Sequence, residues 1–182
     1  MRVLGIGDPA VEGGRVRLRR ATMADVGLLE LWQSVEYRGE FNDFGLPFQS
    51  VSGAVLESGL IGEHGGTLMV ESVTNDTPVG TVTWRTVRYG PNLESNAWQI
   101  GISLVPDARG HGLGSEAQRL LADHLIATTP VHRIEAMTDV ENKFEQHALA
   151  KAGFAREGVL RSAQYRAGDW HDLVVFSRVR DR

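Results

Sequence analysis

At 182 residues the chain has room for one compact α/β domain and not for a second of full size. It contains no cysteine, which excludes disulfide frameworks, thiolate zinc sites and a cysteine nucleophile together. A net charge of −4 argues against a DNA-binding module working through a general basic field, and no apolar run nears the roughly 20 residues of a bilayer span.

The N-terminus lacks a basic and apolar leader pattern, so the expected setting is cytoplasmic, with no membrane partner. Residues 1–14, with Gly5, Gly7, Pro9, Gly13 and Gly14, read as a flexible lead-in to a single domain over 15–182. From Arg15 to Arg20 polar and apolar residues alternate, as in a strand with one buried face, and the arginines there are expected on the solvated side. A tRNA or acidic partner for that basic stripe stays open. Thr22 is placed to cap a helix whose first turn holds Asp25, with Val26, Leu29, Trp32 and Val35 at helical spacing. The stretch 39–65 groups Phe41, Phe44, Pro47 and Phe48 among glycines and serines. It predicts a long loop with a short helix near Val51–Leu60, acting either as a substrate wall or as a flap on the core.

Short strands follow at Thr67–Ser72 and Val79–Val87 around a turn at Thr74–Pro78, and another at Ala97–Leu104. The clearest helix covers Gly112–Ile126, with Leu113, Ala117, Leu120, Leu121 and Leu125 on one face. A strand at Ile134–Thr138, a helix from about Asn142 to Ala152 stopped by Gly153, and strands at Phe154–Tyr165 and Asp172–Val179 complete the order. Consecutive hairpin-like strands exclude a pure doubly wound fold, and the strand–helix–strand unit at 97–138 should supply a parallel pair.

Between that strand and helix lies Arg109-Gly110-His111-Gly112-Leu113-Gly114. Glycines allow positive φ and close approach, so successive N–H groups can converge on one anion at a helix N-terminus. The spacing is neither a dinucleotide fingerprint nor a Walker loop, and a purely structural tight turn is the competing reading.

The run Ile100–Ala117 resembles motif A of the GNAT N-acyltransferases, whose core is Arg/Gln-x-x-Gly-x-Gly/Ala. Asn142, Lys151-Ala152-Gly153-Phe154, Glu157–Arg161 and Trp170-His171-Asp172 resemble its ribosomal-protein N-acetyltransferase (RimJ/RimL-like) branch. The resemblance implies a mixed, mostly antiparallel twisted sheet of about seven strands flanked by about four helices. It implies acetyl-CoA or another acyl-CoA as co-substrate, no metal, and direct transfer to a primary amine through a tetrahedral intermediate. The acceptor would be a small molecule, a peptide or a protein N-terminus. Ile102, Ser103 and Leu104 would pair with the pantetheine arm, the amides from Arg109 to Gly114 would hold the pyrophosphate, and Asn142 would reach the pantetheine or a water. Homodimers occur among relatives and remain open here.

Two positions depart from the family pattern. Gln99 stands where many relatives carry a basic glutamate, and Glu145 stands where a serine often protonates the leaving thiolate. An amide cannot take a proton at neutral pH, and a carboxyl is an acid there only with a raised pKa. Glu94, Glu40, Asp43 and water held by Gln99 and Asn142 are alternative bases. Carrier-protein or acyl-tRNA donors, and a non-catalytic CoA-binding module, are the competing functions. His111 is a candidate phosphate contact; His124, His132, His147 and His171 lack tight metal spacing. Trp84, Trp98 and Trp170 are expected in the core or at a dimer contact rather than as substrate platforms, and Trp32 on the apolar face of the first helix.

Overall fold

The computed structural model describes residues 10–180. In chain order these form β1 (Val11–Glu12), β2 (Val16–Arg19), α1 (Val26–Leu31), α2 (Val35–Arg38), α3 (Ser52–Ser58), β3 (Ile61–Gly62), β4 (Gly65–Ser72) and β5 (Thr77–Arg88). There follow β6 (Asn96–Leu104), α4 (Leu113–Thr128), β7 (Arg133–Asp139), α5 (Lys143–Lys151), β8 (Ala155–Arg166) and β9 (Asp169–Val179). The sheet runs β1-β2-β4-β5-β6-β7-β9-β8, with β3 on the edge of β4. Seven substantial strands match the expected number; β1 and β3 are two-residue additions. Most of the lead-in lies outside the described residues, but Val11 and Glu12 pair with Leu18 and Arg17. The first helix stops at Leu31 and restarts as the single turn α2, which accounts for a fifth helix.

One face of the sheet packs on α4 and α5. Val16, Leu18, Leu68, Val82, Trp84, Trp98, Ile100 and Ile134 meet Ala117, Leu121, Leu125 and Leu149 in a core from which water is excluded. The opposite face carries a smaller cluster, Ala21, Leu29, Val55 and Met69, beneath α1 and α3. This segregation follows from strand alternation: Leu68, Val70, Val82 and Trp84 point one way, while Met69, Thr81, Thr83 and Arg85 point the other. Trp84 and Trp98 are core residues, whereas Trp170 is 61% exposed.

The arginines of β2 are not a solvated stripe. Arg17 reaches Glu71 and Asp76; Arg19 grips both oxygens of Asp25 at 2.8 Å and donates to Glu71 at 3.1 Å. Asp25 also accepts from the Thr22 amide and hydroxyl, so one buried carboxylate both caps the first helix and anchors it to β2. Burial pushes the Asp25 carboxyl up, but the bonds from Arg19 and Thr22 outweigh it and hold the group below the ordinary carboxylate range.

Asp25→Ala should therefore destabilise the fold by about 2–4 kcal/mol in urea unfolding at pH 7, since it strands Arg19 and removes a cap. A carboxyl held low stabilises the fold above its unfolded value, and that contribution is lost as pH falls through the folded value. The gap between wild type and variant should thus narrow below about pH 4.

Candidate coenzyme and acceptor site

The parallel pairing of β6 and β7 covers Trp98–Ile134, Gln99–Glu135 and Ile100–Ala136, then ends. β6 continues to Leu104 and β7 to Asp139, so the two strands part and, among the described residues, the β7-side edge of Gly101–Leu104 has no strand partner. On its other edge β6 stays paired with β5 as far as Gly80. A strand with one open edge inside a sheet is a template for an extended, hydrogen-bonding ligand. Ile102, Ser103 and Leu104 lie along this opening.

The opening leads to the glycine loop. Gly110 and Gly112 adopt φ of 79° and 78°, and Gly112 is the N-cap of α4. Neither conformation suits an L side chain. A Cβ on Gly112 would also stand 2.8 Å from Nη1 of Arg15, whereas one on Gly114 would make ordinary contact with Leu104 and Ile102 at 3.5 and 3.6 Å. The backbone amides from Gly110 to Ser115 have no hydrogen-bond partner among the described residues. They include the His111 and Leu113 amides and lie at the positive end of a 16-residue helix, an arrangement suited to a pyrophosphate.

Arg109 falls outside the expected run of amides. Its amide is already bonded to the Pro106 carbonyl at 3.1 Å, so the free run starts at Gly110. Its guanidinium turns back to the carbonyls of Leu104 (2.9 Å) and Tyr37 (2.5 Å), tying α2 to the end of β6. The cation beside the loop is Arg15, whose Nη1 donates to the His111 carbonyl at 3.2 Å and whose amide donates to Glu116 at 3.0 Å. It comes from 94 positions before the loop's first residue, and no local motif marks it.

At the end of β7, Asn142 caps α5, its Oδ1 accepting from the Glu145 amide at 3.2 Å. That use leaves its side-chain NH2 without a bond among the described residues. Glu145 is half-buried rather than solvated. Burial raises its carboxyl to about 7, with a hydrogen bond to Gln118 of α4 pulling the other way. Gln118 is fully buried, donates to the Gly114 carbonyl at 3.3 Å, and leaves Oε1 unpaired.

Gln99 lies on the sheet face away from α4. It sits in register between Arg85 of β5 and Glu135 of β7. Arg85 donates to Gln99 Oε1 (Nε at 2.8 Å), and Gln99 Nε2 donates to Glu135 Oε1 at 3.2 Å. Glu135 is fully buried and further held by Tyr89 and Arg133, and Arg133 bridges to Glu157. The sequence alone did not single out Arg85 or Glu135, because only strand register joins them. Of the other candidate bases, Glu94 and Glu40 are exposed, and Asp43 accepts the amide of Gly45 in its own loop.

Two adjoining cavities lie on this face. One, about 400 Å³, is lined by Thr67, Thr83, Arg85, Gln99 and Gly101; the other, about 310 Å³, lies under α1, α2 and the loop carrying Asn42 and Phe44. They share Thr83 and Gly101. The loop 39–50 thus forms a wall of this space, and Phe41 packs over Arg166, 5.4 Å from guanidinium carbon to ring centre. Arg166 in turn is buried on Asp139 at 2.6 Å, and His171 Nδ1 stands 2.9 Å from the same carboxylate. Among the described residues no three His, Asp or Glu side chains group as a metal site, and no helix is long and apolar enough to cross a membrane.

Residues 15–155 match the acetyltransferase (GNAT) domain family. An uncharacterized N-acetyltransferase of Bacillus subtilis, YoaA, is 31% identical over 84 residues, 46% of this chain and 48% of that one. The match thus spans about half the length of that curated relative. Mycobacterium smegmatis RimJ in complex with CoA-disulfide superposes with a TM-score of 0.72 at 26% identity, over 90% of this chain and 81% of that one. A spermidine N-acetyltransferase of Vibrio cholerae in complex with CoA and spermine superposes with a TM-score of 0.75 at 17% identity, over 92% and 96%. A glycine loop of free amides, an opened strand pair and a match over most of its length make this chain a member of the GNAT acetyltransferase family, of the RimJ/RimL-like branch.

Proposed function

We propose that the protein transfers an acetyl or other short acyl group from acyl-CoA to the primary amine of a small molecule, a peptide or a protein N-terminus, in the cytoplasm. The observation that carries this reading is the run of unpartnered amides from Gly110 to Ser115 at the mouth of the β6–β7 opening. Those amides would hold the pyrophosphate, with Arg15 beside them, and the open edge of Ile102–Leu104 would hold the pantetheine arm. The coenzyme supplies a thioester, whose acyl carbon the amine attacks while the sulfur leaves.

This chain's residues then have three tasks: orient the amine, accept its proton or pass it to water, and protonate the sulfur. Gln99 Oε1 accepts from both Nε and Nη2 of Arg85 and its Nε2 donates to Glu135, so this amide shapes the wall beside the amine and cannot deprotonate it. Asn142 keeps a free NH2 for the pantetheine or a water. Glu145, with its carboxyl raised to about 7, retains a proton near neutrality and is assigned the acid role.

Two experiments test this. Gly112→Val should weaken acetyl-CoA binding by at least about tenfold in calorimetry, because it strains the loop and displaces Arg15, while the far-UV spectrum stays native. Unchanged affinity would put the coenzyme elsewhere. Glu145→Gln should lower kcat and remove the limb of the pH profile that declines through about 7. The same substitution carries a stability signature. A carboxyl whose folded pKa is raised binds protons more tightly when folded, so the native state is penalised as pH rises from about 4.5 to 7 and above. Glu145→Gln should accordingly raise Tm by about 2–4 °C at pH 8, roughly 1 kcal/mol, and by little at pH 5.

A further inference from the structure

The charge lining the space behind β6 is one-sided. From the α4 side the β6–β7 opening is faced by the free amides. From the other side it is reached through the two cavities, which meet at Gly101, the residue where β6 loses its partner strand. Gly101 carries no side chain and stands close to Thr83 Oγ1, so a molecule lying in this trough can approach the opening there. If the acyl group is delivered through the opening, as the acyl-transfer reading holds, the trough is where the amine waits.

Among the described residues, the charged side chains lining the trough are Arg38 and Arg85 alone. The rest of its polar lining is neutral: Thr67, Thr81, Thr83, Gln99, Ser103 and Asn42 among others. Most arginines elsewhere on the sheet are matched to carboxylates, as Arg17 and Arg19 are to Glu71, Arg133 to Glu157, Arg166 to Asp139, and Arg178 to Asp123. Arg38 and Arg85 have no carboxylate partner among the described residues. Arg85 spends Nε and Nη2 on the neutral amide of Gln99 and leaves Nη1 uncommitted. Glu135, the nearest buried carboxylate in that row, stands behind Gln99 and is taken up by Tyr89 and Arg133. Glu36, Glu40 and Asp43 flank Arg38 along the chain, yet none of them lines the trough.

We infer that the acceptor carries a carboxylate close to its amine, read by Arg85 and Arg38, and that polyamines and lysine-rich N-termini are poor acceptors. Two uncompensated guanidiniums would repel a polycation, while each offers a carboxylate a charge-assisted bond. The carboxylate has two sources, the α-carboxylate of a free amino acid or an acidic side chain next to a peptide N-terminus. This inference rests on the acyl-transfer reading above.

The experiment measures CoA release with acetyl-CoA and matched acceptors: Ala-Asp-Ala-amide against Ala-Lys-Ala-amide, aspartate against its α-amide, and spermidine. Acetyl-CoA affinity is measured in parallel by calorimetry. Expected is a preference on the order of tenfold or more in kcat/KM for the carboxylate-bearing member of at least one pair, expressed mainly in KM. The peptide pair and the amino-acid pair distinguish the two sources. Arg85→Glu, at an exposed position, should invert the peptide preference with acetyl-CoA affinity unchanged. Equal or better rates with the lysine peptide or spermidine overturn the inference, as does a preference that survives both Arg85→Glu and Arg38→Glu. Acetyl-CoA binding without turnover of any of these acceptors also overturns it, leaving the coenzyme site standing. Absence of acetyl-CoA binding removes the acyl-transfer reading itself, and the inference with it.

Discussion

The organisation of this molecule turns on the early end of one ladder, where β6 and β7 stop pairing after Ile100 and Ala136. Inside a protein, backbone N–H and C=O groups are almost always satisfied, so two neighbouring strands that separate must be held apart. Here the separation is fixed by what each strand runs into. β6 leads through the short turn at Pro106–Ala108 into α4, and β7 leads through a tight turn into the Asn142-capped start of α5. Both helices sink into the same core through Leu121, Leu125 and Leu149. Closing the strands would require pulling one helix off that core, which is far costlier than leaving a few backbone groups facing a groove.

The same geometry explains why the molecule has a dry side and a wet side. The face under α4 and α5 is apolar and closed. On the other face, β5, β6 and β7 present Arg85, Gln99 and Glu135 in one row, and the row is prolonged by Arg133 and Glu157. Two bonds from Arg133 and one from Ser177 hold the Glu157 carboxyl down at about 2, so this end of the network stays charged through the physiological range. The overall acidity of the chain gives no hint of this. A net charge of −4 is an average over a surface on which arginine and carboxylate are mostly paired off, and it conceals a local excess of cation.

What could be read from the sequence divides along the same line. The glycine loop was legible because positive φ and close approach demand glycine, and that demand leaves Gly110 and Gly112 at fixed spacing before a helix. Strand order through Arg133–Asp139 and both long helices followed from periodicity, within a residue or two at each end. Arg85 and Glu135 were illegible for the opposite reason. They belong together only through lateral register across three strands, and no spacing along the chain encodes register. The direction of the Arg109 side chain was equally illegible, because the carbonyls of Leu104 and Tyr37 that hold it meet only in the folded chain. The burial of Glu145 was illegible because it depends on packing near Gln118, whose polar side chain on an apolar helix face gave no reason to look there.

The contact between Arg15 and the glycine loop also imposes an order on biosynthesis. Arg15 is among the first described residues to leave the ribosome, yet its amide waits for Glu116, 101 positions later, and its guanidinium waits for His111. The sheet around β2 depends on β4 and can assemble well before then. The glycine loop and its contact with Arg15 are therefore completed only when the start of α4 has been made and docked. If this loop holds the coenzyme as proposed, the nascent chain offers it nothing to hold until that moment, so bound nucleotide can steady the finished protein but cannot guide the early steps of its folding.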